Sequence, residues 1–175
     1  MSIVIAQRYA KAFYNEYKNN NKIVDDMRYL IVCIRESEAF SSFIKNPIYT
    51  DAEAADCIDS LFSKSLQKET IQFLKFVHVK NRINYLETIC KCYIELYRQD
   101  NGISKIIIET AFELSEAKIK AIAKEAEKRF DKKIESKCVV KPNLLGGIRV
   151  IHDNEVFDFS LNHELNNFKE KIITA

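Results

Sequence analysis

Arg98-Gln99-Asp100-Asn101-Gly102-Ile103-Ser104-Lys105-Ile106-Ile107-Ile108, residues 98–108, holds a change of period. Upstream, Ile83, Leu86, Ile89, Tyr93, Leu96 and Tyr97 recur at helical spacing. Asn101-Gly102 is a helix stop with a left-handed cap, and the β-branched run Ile106-Ile107-Ile108 then reads as strand. Composition turns at the same point: all eight Tyr and six of the eleven Phe precede it, and the Gly146-Gly147 pair follows. This predicts a mostly α chain with a small α+β unit, a helical bundle over residues 1–101 and a β-sheet/helix domain over 102–175.

Moving back from the boundary, the first part reads as five or six antiparallel helices with short connections. Ile5, Ala6, Tyr9, Ala10, Phe13 and Tyr17 mark the first, stopped by Asn19-Asn20-Asn21. Next come 24–36, a short piece over 40–44 closed by Asn46-Pro47, 51–61 with Thr50 as N-cap, 68–80 and 83–98. Moving forward, 104–112 reads as a strand. Ser115 is expected to cap a charged amphipathic helix bearing Ile119, Ile122, Ala126 and Phe130. Residues 133–140 alternate like a half-buried strand, 148–151 and 156–159 flank a hairpin turn at His152-Asp153-Asn154-Glu155, and 161–172 reads as a closing helix.

Composition narrows function. Three Gly and two Pro stand where average usage gives roughly 21, which argues against all-β folds rich in tight turns. With Gly only at 102, 146 and 147, no phosphate-binding loop or dinucleotide fingerprint can be written. The longest apolar run, residues 29–34, is far short of the about 20 residues of a membrane span. The N-terminus has no basic region before an apolar stretch, so the expectation is a cytosolic chain starting near Met1. Cys33, Cys57, Cys90, Cys92 and Cys138 form no Cys-x-x-Cys and read as buried thiols in a reducing compartment. His78, His152 and His163 have no partner at a metal spacing, and nothing links a nucleophile to a base. Residues 1–101 carry 14 basic and 13 acidic side chains and 102–175 carry 13 and 12, so each part is +1. Even the densest basic stretch, 118–133, is interrupted by Glu125, Glu127 and Asp131, a pattern of solvated helix more than of phosphate binding.

Excess apolar surface is the most informative feature. At about 100° per residue the first helix has an apolar arc of roughly 200°, from Ala12 through Tyr9, Phe13 and Tyr17 to Tyr14, twice what one core-facing stripe needs. In 71–79, Phe73, Leu74 and Val77 share one side while Ile71, Phe76 and Val79 spread around the rest. Such helices are either central in their bundle or half covered by a partner. Enclosure and partnership are equally good readings of 71–79. For the first helix a partner is the better one, with Ala12 as a slot among aromatics for another helix.

These residues resemble a known family, the delta subunit of bacterial F-type ATP synthases, homologous to the mitochondrial oligomycin-sensitivity-conferring protein. The resemblance runs through Ala6-x-x-Tyr9-Ala10-x-Ala12, Phe73-Leu74 with Asn81-Arg82-Ile83, Leu114-Ser115, Pro142-Asn143-Leu144-Leu145-Gly146-Gly147-Ile148 and Asp158-x-Ser160. The chain departs from it at Lys141, often acidic in the family, at Phe159, often small, and at Asn162 and Glu164, often basic.

The resemblance implies a stator subunit without catalytic activity, cofactor or metal, present once in a hetero-oligomer at the cytoplasmic face of a bacterial inner membrane. It implies that the six-helix bundle binds the N-terminal helix of an alpha subunit between its first and fifth helices. Tyr9, Ala12, Phe13, Phe76 and Val79 would line that groove, with Arg8 and Lys80 at its rim. It further implies that the second domain meets the C-terminal end of the peripheral-stalk b subunit. Asn81-Arg82 reads as a helix end, Gly146-Gly147 as a close approach or bulge, and Asp158 and Ser160 as a structural motif. An RNA-binding antitermination-type factor and a small enzyme with a dispersed site are the alternatives; the appended Gly-Gly domain argues against the first.

Overall fold

The computed structural model describes residues 2–18, 20–45, 49–152 and 155–161. The chain forms two compact units, Met1–Arg98 and Gln99–Ala175. The predicted closing helix lies outside the described residues beyond Leu161, as do Asn19, the Asn46-Pro47 stop and the middle of the 152–155 turn.

The first unit is built from α1 (Ser2–Glu16), α2 (Asn21–Glu36), α3 (Glu38–Lys45), α4 (Asp51–Phe62), α5 (Lys68–Val79), a 3-10 turn at Ile83–Tyr85 and α6 (Leu86–Asp100). Each helix turns its apolar stripe inward, and Ala6, Ile23, Met27, Leu30, Ile58, Leu74, Val77, Leu86 and Ile89 are sealed in one core. Thr50 and Glu53 close a reciprocal capping box on α4. Asn20 caps α2 by accepting from the Lys22 N–H at 3.2 Å, so the Asn run starts a helix as well as ending one. Gln67 offers α5 no side-chain cap. Instead the buried Asp26 of α2 accepts from the Gln67 N–H at 2.9 Å and the Thr70 hydroxyl at 2.6 Å, placing a carboxylate at the positive end of α5 and tying two helices together. Burial, with Asp26 and Tyr97 nearby, pushes the Tyr93 phenol up to about 12. Burial likewise pushes the Cys90 thiol far up, and all five cysteines are free.

The second unit holds β1 (Ile103–Thr110), α7 (Glu116–Phe130), β2 (Lys133–Val140), a 3-10 turn at Pro142–Leu144, β3 (Gly147–His152) and β4 (Glu155–Ser160). The sheet order is β2-β1-β3-β4, with β1 parallel to β2 and antiparallel to β3, and β3–β4 a hairpin. A parallel pair needs a crossover, which α7 supplies. Its Ile119, Ile122, Ala126 and Phe130 cover Ile106, Ile108 and Val150. One expectation is corrected. Ser115 holds the N-cap position, but its side chain makes no cap bond; its carbonyl accepts from the Lys118 and Ile119 N–H groups, and the first turn is left to solvent and to Glu116.

Candidate functional site

The bundle's candidate site lies along α1 and α5, which meet through aromatic rings. Phe13 stacks on Phe73 with centroids 4.0 Å apart and planes at 13°, against Tyr93 of α6 at 5.6 Å. Tyr9 meets Phe76 at 6.0 Å. The sequence-predicted lining residues therefore divide into two layers. Phe13 is 6% exposed and forms the floor, with Phe73 beside it; Tyr9 is half-buried; Ala12, Phe76 (49%) and Val79 (50%) face solvent. Arg8 and Lys80 are exposed at the edge, and the Lys80 Nζ stands 5.8 Å over the Phe76 ring. The other apolar residues of α5 face inward: Ile71, Phe73, Leu74 and Val77 are buried. This helix is thus half covered and not enclosed. Covering the exposed half of Phe76 or Val79 would contribute about 1 kcal/mol each.

A sharp stop fixes the end of this face. Asn81 adopts φ 54°; its N–H donates to the His78 carbonyl at 2.7 Å and the Arg82 N–H to the Val77 carbonyl at 3.0 Å. This is a Schellman cap with Asn in the left-handed position. It holds Lys80 beside Phe76 at the helix terminus.

In the second unit the motif residues form a turn and a charge ladder. Leu145 has φ 59° and Gly147 φ 78°, and the Gly146 carbonyl accepts from the Leu161 N–H at 3.1 Å. A Cβ on Gly147 would stand 2.2 Å from the Phe159 carbonyl oxygen, so only glycine lets β4 close on β3 here. Arg149 donates to Asp158 at 2.9 and 2.8 Å and to Glu109 at 3.4 Å; Lys141 also pairs with Glu109, and the Ser160 N–H donates to Asp158 at 2.9 Å. Glu109 is only 4% exposed, so both cations neutralise a buried carboxylate. Lys141, one of the family departures, thus has a partner inside the chain. Phe159 is largely exposed, and Asn162 and Glu164 lie outside the described residues.

Partial burial pushes the Asp158 carboxyl up, but bonds from the Ser160 hydroxyl and N–H and from Arg149 outweigh it and hold it below the usual carboxylate range. A group lowered on folding stabilises the fold above its unfolded value, about 3.9, and loses that contribution as pH falls through the folded value. Thermal unfolding should therefore show Asp158→Asn below the parent at pH 6, with the gap closing below about pH 4. A gap constant with pH would mean that the carboxylate's charge contributes nothing.

Asp26 and Glu109 escaped the sequence reading, as did Arg149. A turn at 152–155 sets strand partners whose numbers sum to 307, which pairs Arg149 with Asp158 from sequence alone. Glu109 and Asp26 gave no such signal, because their partners lie far along the chain: Lys141 and Arg149 for Glu109, and Gln67 and Thr70, 41 and 44 residues on, for Asp26.

Among the described residues no group of three His, Cys, Asp or Glu side chains could hold a metal ion, and no helix is long and apolar enough to cross a membrane. The family model for the ATP synthase delta (OSCP) subunit matches residues 5–172. ATP synthase subunit delta of Clostridioides difficile is 30% identical, covering 97% of this chain and 96% of that protein. The subunit delta of Methylobacillus flagellatus is also 30% identical, over 94% and 93%. A chain in the cryo-EM structure of the Toxoplasma gondii mitochondrial ATP synthase hexamer superposes with a TM-score of 0.70 over 96% of this chain and 97% of that one; at 16% identity this shows the shared fold. The chain belongs to the ATP synthase delta (OSCP) subunit family, and is a structural component of the peripheral stalk of the F-type enzyme, not a catalytic subunit.

Proposed function

We propose that this subunit joins the catalytic head to the peripheral stalk, so that the head is held still while the rotor turns inside it. The bundle takes the amphipathic N-terminal helix of an alpha subunit between α1 and α5. The C-terminal unit meets the C-terminal end of the stalk b subunit. One copy serves each complex, peripheral to the membrane at the cytoplasmic face of the bacterial inner membrane.

The observation that carries this reading is the exposed apolar surface of Phe76 and Val79 on α5, with Tyr9 of α1 against Phe76, Ala12 exposed on α1 and a stacked Phe13–Phe73 pair buried between the helices. A helix laid there covers aromatic surface that is already ordered, so little entropy is lost on docking. A side chain of the incoming helix would seat over the small, exposed Ala12. Arg8 and Lys80 stay wet at the rim, where they set register and encounter rate more than affinity. A torque clamp needs slow release, and buried aromatic anchors act mainly on the dissociation rate.

The test is a calorimetric titration of the full chain at two salt concentrations with a peptide copying the alpha subunit's N-terminal segment, and separately with single-stranded RNA. The expected result is peptide binding that changes less than about threefold between the salts, with negligible RNA binding. Steeply salt-dependent RNA binding and no response to peptide would overturn the proposal.

A further inference from the structure

The turn that ends α6 and leads into β1 is Asn101-Gly102, the only Asn-Gly pair in the chain. Both residues are exposed. We propose that Asn101 is a site of spontaneous covalent modification, converting in the folded protein to aspartate and isoaspartate.

The Gly102 backbone nitrogen attacks the Asn101 side-chain carbonyl carbon, Cγ. The new N–Cγ bond closes a succinimide ring, the Cγ–Nδ2 bond breaks, and ammonia leaves carrying the proton that the attacking nitrogen gives up. Water then opens the ring at either carbonyl. Opening at Cγ gives aspartate; opening at the main-chain carbonyl gives isoaspartate, whose backbone runs through Cγ and whose α-carboxylate is free. Water is the only reagent, and nothing is oxidised or reduced.

Because the attack is intramolecular, its rate depends on how freely the nitrogen after each asparagine can approach. A following side chain and a firm hydrogen bond on that nitrogen both hinder it. Gly102 has no side chain, and a Cβ placed there would meet nothing within 4 Å. Its N–H donates to the Gln99 carbonyl at 3.4 Å, longer than an ordinary N–H···O bond. Other asparagines in turns keep both hindrances. After Asn81 the nitrogen belongs to Arg82 and is held at 3.0 Å, after Asn84 to Tyr85 at 2.9 Å, and after Asn143 to Leu144 at 3.1 Å.

Conversion puts a new carboxylate beside Asp100 at the C-terminal end of α6, where the helix dipole disfavours negative charge. It also takes residues 1–101 from +1 to neutral, since 14 basic side chains then face 14 acidic ones. The inference needs only this turn as folded and does not rest on the stator proposal.

The test is to hold the full chain under native conditions at neutral and mildly alkaline pH. Samples are digested with trypsin and the peptide 99–105 is followed by mass spectrometry, with methyl labelling by an isoaspartyl methyltransferase to count isoaspartate. Product at 101 should appear ahead of that at every other asparagine, and faster at the higher pH, because the attacking nitrogen must lose its proton. Asn101→Gln should abolish it and Gly102→Ala should remove most of it, with circular dichroism confirming that both variants are folded. An intact Asn101 while other asparagines convert would overturn the proposal. So would conversion confined to chain unfolded in urea, or methyl labelling undiminished in Asn101→Gln.

Discussion

Phe76→Asp should release the alpha-subunit segment and leave the bundle folded. Half of this side chain already faces solvent, so the substitution should shift unfolding by no more than about 0.5 kcal/mol. In the complex the same position would hold an unpaired carboxylate against an apolar helix, and peptide affinity should fall at least 100-fold, about 2.7 kcal/mol. Phe13→Ala is the contrasting case. Its ring is buried against Phe73 and Tyr93, so its removal should cost about 3–5 kcal/mol of stability and reach binding only through the fold. Paired circular dichroism and calorimetry separate the two. Unchanged peptide affinity in a folded Phe76→Asp variant would mean that the alpha segment binds elsewhere.

Gly147→Ala should be the most damaging single-methyl change in the molecule. Its φ of 78° lies where an L-residue costs about 1–2 kcal/mol, and the new Cβ would press on the Phe159 carbonyl oxygen at 2.2 Å and the Ser160 Cα at 2.9 Å, both backbone. The hairpin must open or shift, for a total of about 3 kcal/mol or more. Gly102 supplies an internal control: φ is 62°, but a Cβ there meets nothing within 4 Å, so Gly102→Ala should cost only about 1 kcal/mol. Thermal unfolding of both variants checks this. Equal costs would mean that the close approach at Gly147 is easily relieved and that glycine is required there only for its φ.

Much of the fold was legible because stripes of apolar residues at helical spacing are what a small bundle must have, and Asn101-Gly102 punctuates the change to β structure. Sheet order was not. β1 takes a parallel partner that begins 30 residues on and an antiparallel one beyond it, and nothing local in 103–110 encodes either neighbour. Ser115 shows the limit of reading caps from residue type, since a side chain bonds the first turn only if its rotamer turns inward. The candidate site was half legible. The wide apolar arc on α1 and the all-round pattern on α5 pointed to these two helices, yet the same arc is compatible with floor or surface. Phe13 is buried against Tyr93 of α6, a long-range contact that the pattern of α1 does not encode, while Phe76 stays half exposed. Asp26 was hidden because an acidic residue in a helix ordinarily reads as solvated, and only the packing of α2 against the start of α5 gives it a task.

On the proposed function the α1/α5 face receives the alpha subunit. Nuclear magnetic resonance of the isotope-labelled full chain, titrated with the alpha N-terminal peptide, tests it most directly. Shifts should concentrate in residues 5–13 and 72–80, around Tyr9, Ala12, Phe76 and Val79, with the sheet residues of the second unit unmoved. Binding that leaves 5–13 and 72–80 silent and perturbs another surface would contradict it.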